Sequence, residues 1–145
     1  MLITENNRSI NFNISGYQFD KLKSLGTTYD YDANWLICEI KYSEDDFSQS
    51  YSDPCLLTYE LEELINAFSK ILDGEDGGYI SDFMEPYLQI SIAKVEDKIM
   101  LIVHFVYDTS DGIWKKRKVA SLVEKEYALQ ILNELREMQI AYPER

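Results

Sequence analysis

Two residue spacings alternate along this 145-residue chain, and their order restricts the fold more than any motif does. Period-two runs mark strands with one buried face. Residues 9–14, SINFNI, put Ile10, Phe12 and Ile14 on one side, and Ser15-Gly16 end the run. Residues 34–42 align Leu36, Cys38, Ile40 and Tyr42; a turn at Ser43–Asp46 returns the chain through Phe47–Tyr51. After Asp53-Pro54 the period changes. Leu61, Leu64, Ile65, Phe68, Ile71 and Leu72 follow the i, i+3, i+4, i+7 spacing of an amphipathic helix. Thr58 is the expected N-cap, Glu60, Glu62 and Glu63 suit the positive end of the dipole, and Asp73-Gly74 and Gly77-Gly78 end the helix. Period two resumes over 87–93 with Leu88, Ile90 and Ile92. Residues 99–107, IMLIVHFVY, are apolar on both faces, which points to a central strand. Turns fall at Glu96-Asp97-Lys98 and Asp108–Gly112, and 113–119 forms a further strand. A second helix over 124–140 aligns Ala128, Ile131, Leu132, Leu135 and Met138, with Ser121 and Glu124 at capping-box spacing.

The order strand, strand, strand, helix thus occurs twice, although the residues themselves show no convincing repeat. Short links favour antiparallel hairpins, so the predicted class is α+β: a mostly antiparallel six-stranded sheet with two helices on one face. Residues 20–30 read as a loop. The open face of that sheet is expected to carry Asn11, Asn13, Trp35, Glu39, Gln89 and Ser91. A chain of this length is expected to be one domain, 1–145, and to bury about 70% of its unfolded surface.

Charge is distributed unevenly. Residues 30–85 hold 15 Asp or Glu and two Lys, net −13, while the other 89 residues hold 11 acids and 12 bases. Such a block bears on partners and solubility rather than on fold. It disfavours nucleic acid as a direct partner, because phosphates need clustered Lys and Arg. Tyr31, Tyr42, Tyr51, Tyr59 and Tyr79 are interleaved with the acids, and tyrosine is enriched at interface hot spots. The first-turn glutamates have a helix-terminus explanation. The remaining acids form two points, Glu44-Asp45-Asp46 and Asp73, Glu75 and Asp76. With Tyr51 and Tyr79 as contact anchors, these are the candidate partner-binding residues.

Chemistry finds little support. The one histidine, His104, sits in the most apolar strand and reads as structural. Cys38 and Cys55 lack a neighbouring His and make no zinc pattern. They read as buried reduced thiols, with a disulfide as the alternative. Asp30 and Asp32, with Asp53 following, suit acid–base work or Ca²⁺ binding, but the EF-hand series is not met and Tyr31 between two Asp fits a turn equally. No phosphate-binding, dinucleotide or nucleophile-elbow motif is present. The basic run Lys115–Lys118 suits pairing with the acidic surface or protection of a sheet edge. No catalytic residue, metal or cofactor is expected. Nothing resembles a signal peptide or a membrane span, so a cytoplasmic protein without membrane contact is expected. A small-molecule-binding or enzymatic domain using an open face with Trp35 and His104 is the rival reading. A homodimer joined through sheet edges is the third.

Several short motifs, in order, resemble the WapI family of bacterial immunity proteins. They are Gly16-Tyr17-Gln18-Phe19, Tyr31-Asp32-Ala33-Asn34-Trp35-Leu36, Asp53-Pro54-Cys55-Leu56-Leu57-Thr58-Tyr59-Glu60-Leu61 and Tyr142-Pro143-Glu144-Arg145. Tyr59 stands where such proteins are expected to have Trp. The resemblance implies a non-enzymatic protein that binds and neutralises the C-terminal toxin domain of a secreted polymorphic toxin. It further implies a tRNA-cleaving nuclease as that toxin, hence a basic partner. It assigns packing to Trp35 and Leu56–Leu61, and turn hydrogen bonding to Asn34 and Asp53.

Overall fold

The computed structural model describes residues 1–19, 28–75 and 77–145. Residues 20–27, most of the loop expected at 20–30, lie outside the described residues, as does Asp76. The chain runs β1 (Leu2–Glu5), β2 (Arg8–Tyr17), α1 (Tyr31–Asn34), β3 (Trp35–Glu44), β4 (Phe47–Leu57) and α2 (Thr58–Leu72). It continues through β5 (Gly78–Ile80), β6 (Leu88–Val95), β7 (Lys98–Asp108), β8 (Lys115–Val123) and α3 (Lys125–Ala141).

The class is α+β, but the single six-stranded sheet is corrected to two four-stranded antiparallel sheets, ordered β1-β2-β3-β4 and β5-β6-β7-β8. Three helices accompany them among the described residues, the first a single turn. Two strands were missed for a physical reason. β1 and β5 have four and three residues, too few to display a period. The repeated unit is therefore four strands and a long helix.

β4 runs past Asp53-Pro54, where the sequence suggested a break, to Leu57. It is an edge strand, which tolerates a residue without an N–H. A bulge also falls there: Ile37 pairs with Pro54 and Leu36 with Leu56, leaving Cys55 as the extra residue. Two-residue turns at Asn6-Asn7, Asp45-Asp46 and Glu96-Asp97 fix the hairpin registers. The first residue of each has positive φ: 52° at Asn6, 48° at Asp45 and 56° at Glu96. Asn and Asp tolerate this left-handed region better than most residues.

The predicted apolar faces turn inward. Ile10, Phe12, Ile14, Leu36, Cys38 and Ile40 of the first sheet join Leu88, Ile90, Leu101, Val103 and Phe105 of the second in one core cluster. The stripes of both long helices complete it, and α2 packs against α3. Full burial of a side chain such as Phe68 contributes about 1.5–3 kcal/mol. β1 runs beside β8, where Glu5 accepts a bond from the Ala120 N–H at 3.3 Å. β7 lies between β6 and β8, the interior position its composition suggested. No helix among the described residues is long and apolar enough to cross a membrane.

Candidate functional site

The starts of the two long helices differ from expectation. Thr58 is the first helical residue of α2, and the N-cap is Leu57, whose side chain cannot accept a bond. Glu60 supplies the missing acceptor. Its carboxylate takes the Leu57 N–H at 2.8 Å and the Met84 N–H at 2.6 Å, joining the helix start to the segment before β6. Glu60 is 2% exposed, and burial raises its carboxyl above the usual range against the pull of those two donors. At α3 the N-cap is Glu124, without a side-chain cap bond, and Ser121 belongs to β8. Glu124 instead holds Lys98 at 2.6 Å.

Thr58 donates to Asn34 Oδ1 at 2.9 Å. Asn34 is fully buried and forms three further bonds. Its amide nitrogen donates to the carbonyls of Asp30 at 2.8 Å and Arg145 at 3.1 Å, and its oxygen accepts the Arg145 N–H at 2.9 Å. The Arg145 guanidinium lies 3.4 Å from the centre of the Tyr17 ring, and Tyr17 donates to the Pro143 carbonyl. Tyr59 packs edge-on to Tyr29 at 5.3 Å, and burial, then Glu60, pushes its phenol up to about 12. Side chains from all four motif segments thus meet in one packed corner. Their roles there are structural.

The first acidic point, Glu44-Asp45-Asp46, is the tip of the β3–β4 hairpin, with Asp45 and Asp46 exposed. Its position is fixed. The Asp45 N–H donates to the Asn7 carbonyl of the neighbouring tip at 3.2 Å, and Tyr42 donates to Glu44 at 2.7 Å. Beneath it the Arg117 guanidinium stands 4.6 Å from the Tyr42 ring centre, 5.1 Å from Phe47 and 4.5 Å from Tyr107. That stack ties the tip to the second sheet.

The second point follows α2. Asp73 is its C-cap, Gly74 takes φ 102°, and the Glu75 N–H donates to the Lys70 carbonyl at 3.1 Å. Asp73 and Glu75 are exposed. Carboxylates at this end oppose the helix dipole, so helix stability does not account for them. Tyr51 turns its ring against Phe105 at 4.9 Å and Tyr107 at 6.0 Å, and its hydroxyl is buried without a hydrogen-bond partner. Tyr79 is half-buried against the core. Burial, then Glu63, Glu60 and Asp82, raises its phenol. The described residues therefore divide between a hairpin tip, a helix end and two ring positions.

Lys115–Lys118 splits by face. Lys115 bonds Asp108 at 2.9 Å and Asp111 at 3.1 Å, Arg117 turns to the aromatic stack, and Lys116 and Lys118 are exposed. Cys38 and Cys55 are free and buried, and contact between the thiols, with burial, pushes that of Cys38 well up. His104 lies opposite Lys118 and Gln89 on β7; burial, then Lys118 and Lys116, lowers its pKa. Trp35 belongs to the first sheet and His104 to the second, so the open face expected to unite them is divided. Its other residues divide too. Asn11, Asn13 and Glu39 line a hollow of about 450 Å³ on the first sheet with Lys41, Ser50 and Ser52, while Gln89 and Ser91 lie on β6. Among the described residues no three His, Cys, Asp or Glu side chains converge as a metal site.

No curated protein matches the chain. The model of the Immunity protein WapI-like family matches residues 1–143. With nearly the whole length matched, the chain belongs to the WapI-like immunity protein family.

Proposed function

We propose that the protein binds the C-terminal toxin domain of a secreted polymorphic toxin in the cytoplasm and neutralises it without catalysis. The family match over residues 1–143 carries this reading. The toxin we infer is a tRNA-cleaving nuclease. An RNA-cleaving domain needs a basic groove for its substrate, and an acidic inhibitor complements it. The acids Glu44, Asp45, Asp46, Asp73, Glu75 and Asp76 steer the encounter, with the half-buried Tyr51 and Tyr79 as contact anchors. The net charge of −13 in residues 30–85 supports this, as do Asp73 and Glu75 standing against the α2 dipole.

The rival reading has less behind it. An enzymatic or small-molecule site on one open face needs Trp35 and His104 together, and they lie on different sheets. The charges bearing on His104 are both ammonium groups.

The test is stopped-flow association with the cognate toxin domain across a salt series. Asp45→Lys with Glu75→Lys should slow association about tenfold at low salt and flatten its salt dependence. Unchanged rates at every salt concentration remove the acidic points from the interface. Absence of any toxin binding by the unaltered protein removes the immunity reading itself.

A further inference from the structure

The two middle rows of the outer face of the second sheet are uncharged and, apart from Ser91, apolar. One row of the ladder runs Ile80, Ser91, Ile102 and Ala120; the next contains Ala93, Met100 and Leu122. Neither row holds a charge. Ile80 is 67% exposed and Leu122 48%, and none of these side chains belongs to the core cluster that α2 and α3 complete. An antiparallel sheet with one face on the core ordinarily carries polar residues on the other. Ala93, Met100, Ile102 and Ala120 between Ile80 and Leu122 are half-buried, and a continuous apolar stripe open at both edges marks an interaction site.

Charge of opposite sign flanks the two ends of the stripe. Beyond Ile102 and Ala120 come Lys118 and then Lys116, both exposed. Beyond Met100 and Leu122 come the exposed Glu96-Asp97 turn and Glu124, which holds Lys98.

We propose that this face pairs with the same face of a second copy of the chain. A two-fold axis in the plane of the interface, perpendicular to the strands, reverses strand direction between the copies. Strand positions across the sheet are kept, so each copy's Lys116 and Lys118 on β8 lie over the acidic end of the other's β8 at Glu124, beside the Glu96-Asp97 turn, and the apolar rows meet between them. Stacking in the same direction opposes like charges at both ends. The charge pattern therefore selects one arrangement and makes the face complementary to itself. Three strands by about four rows, with the two outward positions of β5, give roughly 450 Å² per copy at ordinary strand spacings. The total of about 900 Å² lies with small, transient interfaces, so the dimer is weak and reversible. The pairing is independent of the toxin reading.

Sedimentation velocity on the full chain over a concentration series tests the proposal. The expected result is a reversible rise from 17.0 kDa towards twice that mass. Leu122→Glu and Ile80→Glu, at exposed positions, should melt like the parent and remain monomeric. Lys118→Glu should weaken dimerisation about fivefold, as loss of a rim ion pair does, and Glu124→Lys in the same chain should restore it. A parent that stays at 17.0 kDa throughout overturns the proposal, as does a folded Leu122→Glu variant that dimerises normally. A monomeric parent whose toxin affinity falls with Leu122→Glu assigns the face to the toxin and overturns it equally.

Discussion

The two halves of the molecule have the same order, four strands and then a long helix, yet they place their polar groups differently. The first half puts Asn, Ser, Glu and Lys on its outer sheet face and buries Asn34, Thr58 and Glu60 at the start of its helix. The second leaves an apolar row outside and starts its helix with an exposed ion pair between Glu124 and Lys98. The same connectivity is thus compatible with opposite uses of polarity. In the first half polar side chains fix one packed corner. In the second their scarcity leaves a surface that water solvates poorly.

The largest expected effect comes from emptying the first half's corner. Asn34→Ala removes four bonds, one buried and three partly buried, through which a single side chain joins Asp30, Thr58 and Arg145. It should cost about 3–4 kcal/mol in urea unfolding, where the corresponding change in the second half, Glu124→Ala, should be nearly silent. Comparable losses from the two variants would break the contrast.

Glu60→Gln should cost less, about 1–2 kcal/mol, because one amide oxygen replaces two carboxylate acceptors. Its pH dependence is distinctive. The folded state raises the Glu60 carboxyl above its ordinary value near 4.5, so folding takes up a proton just above that pH. This group's contribution to stability is fully present below 4.5 and declines as pH rises through the folded value. The advantage of the parent over Glu60→Gln should therefore shrink as pH rises from 4.5 and then level off. A gap that widens over that range would contradict a raised carboxyl.

The smallest effect sharpens the comparison of the outer faces. Asn11→Glu and Leu122→Glu each place a carboxylate on an exposed strand position, one per sheet. Both should leave chemical stability within about 0.5 kcal/mol. Only Leu122→Glu should alter sedimentation.

Much of the first layer of this architecture was legible in the residues. Ile10, Phe12 and Ile14 predicted the inward face of β2, and Leu61 through Leu72 predicted the stripe of α2, because periodicity is local. The division into two sheets was not legible. It depends on β5 pairing with β6 and on β1 lying along β8, contacts that no short window contains. Of the candidate site, the hairpin tip followed from the polar run at 43–46, and register then fixed Asp45-Asp46 as the turn. The clasp of Glu60 on Met84, 24 residues on, gives no local signal. The run at 99–107 has two physical meanings. Residues apolar on both faces pointed to an interior strand, which β7 is, but they equally describe a strand whose second face no helix covers.

The bonds between Asn34 and Arg145 span 111 residues. They also order events in time. A chain emerging from the ribosome exposes Asn34 long before residue 145 exists, so the corner stays open while the second sheet is being made. Contacts this distant in sequence make that closure slow relative to the hairpins. Refolding should therefore restore the hairpins before the corner that joins Tyr17, Asn34 and Arg145.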